Sequence, residues 1–295
     1  MSTKILEIRE RIEQGKNIPK GLKLLNVESL WEKSDQGKGN VIAVIDSGCD
    51  RNHPDLKDNI IGGYNFTGEG EHHDFSDSNF HGTHIAGTIA ANNIKSGIIG
   101  VSPQSKLLIL KVIDKRNSGT YTSLVNAINY AIKWKGPKGE KVSAMNISLS
   151  GHYDDDNLYK SIVNATKRNI PIIAASGNSG DSKRLYPASF KEVLQVGSVN
   201  ESLKLNSFSN KNGRSLFLAP GSNILSTFPN SLYGKITGTS MAAPHITGAV
   251  SLIIDIMKKE KVPVKLETVL RQLTKYSIPL SEHMDGEDIR LVQFN

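Results

Sequence analysis

Val41-Ile42-Ala43-Val44-Ile45, an apolar run of five residues, is followed at once by Asp46-Ser47-Gly48-Cys49-Asp50. A run this short, rich in β-branched side chains and closed by turn residues, reads as a strand buried on both faces. Similar runs lie at Leu107 to Ile113, Ala144 to Leu149, Pro171 to Ala175 and Val193 to Val199. Helical patterns lie at His81 to Ala91, Tyr121 to Lys133, Asp156 to Arg168 and Ser240 to Lys258. Continuously apolar strands separated by helices predict an α/β fold: a central, mainly parallel sheet flanked by helices on both faces. Such sheets place their chemistry just beyond the carboxyl ends of the strands, so the residues after each run deserve the closest reading.

Composition sets the outer limits. The chain has 295 residues, 38% hydrophobic and 22% charged, enough for a sizeable core and too apolar for wholesale disorder. No repeat and no Pro/Gly/Ser linker divides it. The single cysteine, Cys49, excludes an intrachain disulfide, and with it a disulfide-stapled scaffold, and permits a reducing compartment. The first residues, MSTKILEIRERIEQGKN, carry charges every few positions and no apolar stretch of the kind an export signal needs. They read as an amphipathic helix, broken at Asn17-Ile18-Pro19-Lys20-Gly21. Ala242 to Met257 is interrupted by Pro244, His245 and Asp255, and is expected to be too short and polar to span a bilayer. The net charge of +7 is spread out; its densest stretch, Lys133 to Lys141 (KWKGPKGEK), reads as a solvated loop. Neither a nucleic-acid motif nor a membrane segment accompanies it, so neither partner is expected.

Three polar clusters stand at strand ends or helix starts. Asp46 closes the VIAVI strand; taken alone it is an ordinary turn or cap residue. His81-Gly82-Thr83-His84 opens a helix of small residues. His81 and His84, with His72, His73 and Asp74 just before them, also allow a zinc reading. Gly238-Thr239-Ser240 precedes a long apolar helix, with Ser240 at the expected N-cap and Pro244 tolerable only because it lies near the helix start. The positive end of the helix dipole there favours an alkoxide or oxyanion. Together the clusters supply a carboxylate, an imidazole and a hydroxyl, each beside glycine. Covalent peptide hydrolysis needs such a set: a serine is a poor nucleophile until a base takes its proton, and the base needs a carboxylate to fix its tautomer.

Four blocks, VIAVIDSGCDRNHPDL, FHGTHIAGTIAA, IIAASGNSG and GTSMAAPHITGA, occur in this order. On these blocks the chain resembles the subtilisin-like serine proteases (subtilases, peptidase family S8), most closely the intracellular subtilisins of bacilli. The resemblance covers about nine-tenths of the chain. It implies a subtilisin-like three-layer fold and a serine endopeptidase working through an acyl-enzyme. It further implies Asp46, His81 and Ser240 as the catalytic set, with the side chain of Asn178 and the backbone N–H of Ser240 as the oxyanion hole. Ser148, Leu149, Ser150 and Gly151 match the strand that pairs with the substrate, Ser150 standing where most relatives have glycine. Asn117, Ser118 and Gly119 match the opposite edge, Tyr121 the aromatic residue of the S4 pocket, and Leu185 the floor of S1. The Tyr186-Pro187 peptide is expected to be cis. A structural calcium is implied at Asp55 and the loop Asn92 to Ile98, with Asn93 helping; Ile94 stands where an Asn ligand is common. No organic cofactor is implied.

The division expected is a short extension, residues 1–17, inhibitory or cleavable, followed by a catalytic domain, 18–295. Intracellular relatives block their site with a Leu-Ile-Pro-Tyr segment; that segment is missing here, and Leu6-Glu7-Ile8 is a poor substitute for it. Polypeptide substrates, a cytoplasmic location and an optional homodimer complete the expectation. Two alternatives stay open: a processing protease that removes the leader of one peptide, and a catalytically silent binding module.

Overall fold

The strand Val41–Asp46 is buried along its whole length. Ile42 and Val44 face one hydrophobic cluster, and Val41, Ala43 and Ile45 face the other. That alternation is the period of two expected of a strand covered on both sides. Each such side chain contributes about 1.5–3 kcal/mol by leaving water, so the strand is a rigid support for whatever follows it.

The computed structural model describes residues 4–9, 18–92, 96–211, 215–279 and 288–294. Its first half runs β1 (Lys4–Arg9), α1 (Lys20–Leu25), α2 (Glu28–Trp31), β2 (Val41–Asp46), β3 (Ile60–Asn65), α3 (His81–Ala90), β4 (Lys106–Lys111), α4 (Tyr121–Lys133) and β5 (Val142–Ile147). Its second half runs α5 (Asp156–Thr166), β6 (Ile172–Ala175), β7 (Leu194–Val199), β8 (Ser215–Pro220), β9 (Ile224–Phe228), β10 (Leu232–Thr237), α6 (Thr239–Lys259), α7 (Leu266–Lys275), β11 (Ser277–Pro279) and β12 (Asp288–Val292). Nine strands form one sheet in the order β11-β12-β8-β7-β6-β5-β2-β4-β3. All its pairings are parallel except β11 with β12. Helices α3 and α6 pack on one face and α4 and α5 on the other, which gives three layers.

The five sequence-read strands and four helices are all present, with ends moved by a few residues. Two readings need correction. Residues 4–9 are not helical: they form β1, antiparallel to β10 in a separate three-stranded sheet β1-β10-β9. An unpaired strand edge offers a ladder that outweighs the weak helix preference of a short charged segment. The apolar helix is also longer than expected. At 21 residues α6 is long and apolar enough to cross a membrane by length and composition, but it lies entirely inside the protein as the central core helix. Pro244 falls in its first turns, and Ser240 is its second residue rather than its N-cap, which is Gly238. The Tyr186-Pro187 peptide is cis.

Candidate active site

Asp46 is the last residue of β2 and is buried. Its Oδ1 accepts from the Ser47 amide at 2.8 Å and lies 2.7 Å from His81 Nδ1. His81 is the first residue of α3, also buried, and its Nε2 has no hydrogen-bond partner among the described residues. With Nδ1–H donating to the carboxylate, Nε2 carries the lone pair, so the imidazole is an open base. Burial alone would push its pKa down. The Asp46 charge and hydrogen bond together outweigh that, helped by Asp77, and the net shift is upward.

The hydroxyl comes from the other side. β5 pairs with β2 up to Ile45 opposite Ile147, so Ser148 follows beside Asp46. Ser240 Oγ donates to the Ser148 carbonyl at 3.1 Å, and Ser148 Oγ returns a bond to the Ser240 carbonyl at 3.0 Å. Farther down α6, Thr247 Oγ1 donates to Asn146 Oδ1 at 2.8 Å, which ties the helix to β5. The carboxylate, imidazole and hydroxyl expected from sequence therefore gather at the carboxyl ends of two adjacent strands. The hydroxyl rests on the Ser148 carbonyl rather than on the imidazole.

Asn178 follows β6. Its Oδ1 accepts from Thr239 N at 2.8 Å and Thr239 Oγ1 at 2.9 Å. That fixes the amide with Nδ2 as its outward donor, next to the helix start whose first N–H groups have no intrahelical acceptor. Thr239 was not singled out in the sequence, and neither were Ser47, Asp77 and Lys111. Lys111, buried on β4, donates to the Ser47 and Ser76 carbonyls and to Ser78 Oγ at 2.8–3.0 Å. The only sequence signal for Asp77 was its place shortly before a helix with no good N-cap, since Phe80 holds that position.

The expected substrate edges face each other. Gly151 and Tyr186 exchange backbone bonds at 2.8 and 2.9 Å. Ile113 bridges Gly119 across a turn containing Asn117 and Ser118, and Asn117 Oδ1 accepts from Asn79 Nδ2 at 2.9 Å. A recess of about 320 Å³ lies between these edges, lined by Asn117, Gly119, Tyr121, Leu149, Ser150 and Tyr186 among others. Tyr121 Oη closes one end by accepting from Tyr153 N and donating to Tyr153 O, both at 3.0 Å. Leu185 is buried against Gly177: a Cβ on that glycine would fall 2.4 Å from Leu185 Cδ1.

Asp55 is buried, and its carboxylate accepts from Tyr233 Oη at 3.0 Å to each oxygen and from Ile98 N at 2.8 Å. Gly97 leaves room beside both oxygens that a side chain would fill, since a Cβ would lie 2.2 Å from each. A carboxylate is a hard-oxygen ligand of the kind calcium takes; Asn93, its expected helper, lies outside the described residues. Among the described residues no group of three or more His, Cys, Asp or Glu side chains is arranged to hold a metal. His84 bonds instead to the Ile224 carbonyl at 2.9 Å, and burial lowers its pKa to about 3, so it is a neutral core residue. Cys49 is buried, and burial together with Asp77 and Asp50 pushes its thiol pKa up, away from the reactive thiolate.

A parallel sheet with a buried carboxylate–imidazole pair and a helix-start serine at adjacent strand ends defines a class of covalent hydrolase. Residues 37–286 match the Subtilase family, peptidase S8, and the chain belongs to that family as a subtilisin-like serine endopeptidase. It is 44% identical to the major intracellular serine protease of Bacillus subtilis (strain 168) over 92% of this chain and 86% of that protein. It is 39% identical to an intracellular serine protease of Paenibacillus polymyxa, over 96% and 88%. Subtilisin E of Bacillus subtilis (strain 168) is 37% identical, over 82% of this chain and 62% of that protein.

Proposed function

We propose that Asp46, His81 and Ser240 carry the hydrolysis, with Asn178 and the Ser240 amide as oxyanion donors. The observation that supports this most directly is the imidazole bonded through Nδ1 to a buried carboxylate while its Nε2 has no partner among the described residues. An extended peptide adds as a strand between Ser148–Gly151 and Asn117–Gly119. Its N–H takes the Ser148 carbonyl, and the displaced Ser240 hydroxyl turns to His81 Nε2. Oγ then attacks the carbonyl carbon, its proton passes to Nε2, and the carbonyl π pair moves to the oxygen. Asn178 Nδ2–H and Ser240 N–H hold that oxygen; losing one such donor costs about 10²–10³ in rate, a magnitude measured in a subtilisin. Collapse expels the amine, which takes the proton from His81, and water repeats the sequence on the acyl-enzyme.

A fluorophosphonate probe should label Ser240 and fail to label Ser240→Ala. Retained labelling in that variant rejects the assignment and puts the nucleophile elsewhere, and no labelling of the wild type rejects it and revives the silent binding module. We place the enzyme in the cytoplasm, as the names of its intracellular relatives suggest. Broad digestion is separated from leader removal by profiling cleavage of casein and a peptide library: one dominant cleaved sequence would favour the processing enzyme. Calcium bound at Asp55 would add an ionic bond to this buried carboxylate. EGTA should then lower Tm by several degrees, and an unchanged Tm removes the ion from the account. For residues 1–17 we propose inhibition. β1 covers the outer edge of β10, with Lys4 opposite Thr237, three residues before Ser240. A chain starting at Ile18 should cleave peptides faster, and equal activity refutes the idea.

A further inference from the structure

Asp77, four residues ahead of His81, takes no part in the steps above, yet it binds together everything around the imidazole. Its Oδ1 accepts from Ser47 Oγ at 2.9 Å and from the amides of Asn79 and Phe80 at 3.0 Å. Its Oδ2 accepts from Thr83 N at 2.8 Å and Thr83 Oγ1 at 2.6 Å. Ser47 Oγ in turn accepts from Gly82 N at 2.9 Å. One carboxylate thus grips the first turn of α3 on both sides of His81 and, through a single hydroxyl, the residue that follows Asp46. Phe80 needs this help. It occupies the N-cap with φ 102°, in the left-handed region unsuited to a bulky side chain, and makes no side-chain cap bond. An anion at a helix start is the usual remedy, and here it comes from outside the helix.

We propose that Asp77 is a positioning residue for His81: it fixes the strained turn bearing the imidazole and locks that turn to the loop bearing Asp46, while its charge supports the imidazolium formed during catalysis. The proposal rests on the catalytic role given to His81 above. Among the described residues, the charged and titratable groups that act on this imidazole are Asp46 from β2, Asp77 from the loop before α3 and the neutral His84 of α3, while Lys111 of β4 acts on Asp77. Lys111 is anchored to the Ser47 and Ser76 carbonyls and offsets part of the negative field. Asp77 therefore does more than add a charge: it sets where the charges of Asp46 and His81 stand relative to each other.

Two full-length variants separate position from charge. Asp77→Asn keeps the shape and removes the charge. Its kcat/KM should fall about tenfold, and the acid limb of its pH profile, where the base must lose its proton, should move to lower pH. The His81 ring resonance, followed by NMR, should titrate at lower pH in step. Ser47→Ala cuts the bridge and leaves the charge. Its kcat should fall with KM little changed, because misplacing a base by a fraction of an ångström is costly, and its acid limb should stay in place. An Asp77→Asn profile superimposable on wild type, with kcat within twofold, overturns the proposal. Should that variant not fold, Ser47→Ala decides, and wild-type kcat there overturns it equally. Fluorophosphonate labelling accompanies each: wild type left unlabelled means that the catalytic assignment is wrong, whereas all variants labelled at the wild-type rate mean that only the role of Asp77 is.

Discussion

At the scale of single residues, Leu185 carries the most specific prediction. It lies against Gly177, one residue before Asn178, the proposed oxyanion donor, and is nearly fully buried. On the proposed reading it fills the slot that receives the P1 side chain, so small P1 residues should be preferred. Leu185→Gly should raise kcat/KM for a phenylalanine at P1 at least about tenfold relative to alanine, the scale of discrimination that a few methylenes give in an apolar pocket. Unchanged preference in paired peptide substrates would move the slot elsewhere. Asp46, His81, Ser240 and Asn178 were legible in the sequence because each sits in a short block with its glycines. Their supports were not. Thr239 meets Asn178 across 61 residues, and Ser240 meets Ser148 across 92. Such partners are chosen by the fold, and a hydroxyl has no local pattern to announce its bond.

Among the elements, α6 shows what close packing demands. Gly248 is buried in mid-helix, where glycine is normally about 1 kcal/mol worse than alanine. A Cβ there would lie 2.5 Å from Val101 Cβ. Gly248→Ala should therefore destabilise the protein, by about 1–3 kcal/mol of overpacking, where propensity alone predicts the opposite sign. Urea unfolding distinguishes the two. Apolar strands β2 and β4–β7 announce themselves because both faces are buried. β9 and β10 have partly exposed faces and short runs, and were not read as strands at all. β1 was read as a helix because its pairing partner lies more than 200 residues away.

Over the described residues, three buried imidazoles bear on the response to acid. Burial lowers the pKa values of His53, His84 and His245, to about 3 for His84 and about 4 for His245. A histidine whose folded pKa is depressed stabilises the fold above its unfolded value of about 6.5, and that contribution fades as pH falls toward the folded value. Tm should therefore decline steadily from pH 6.5 to pH 4; a flat profile in calorimetry would contradict this. His81, shifted the other way, stabilises most below about 6.5 and loses its contribution as pH rises through its folded value. The basic stretch Lys133 to Lys141 begins where α4 ends, and Arg168 follows α5, so part of the positive charge answers the negative ends of two helices.

The first strand has a further consequence. While it stays in place, β10 has a neighbour on each side. Proteolytic loss of residues 1–9 would strip one side of β10 and leave a row of bare amides and carbonyls at the surface, the kind of border that recruits strands from other chains. The clipped enzyme should then self-associate in light scattering as its concentration rises, while the intact chain stays dispersed, so that maturation would trade latency for stickiness.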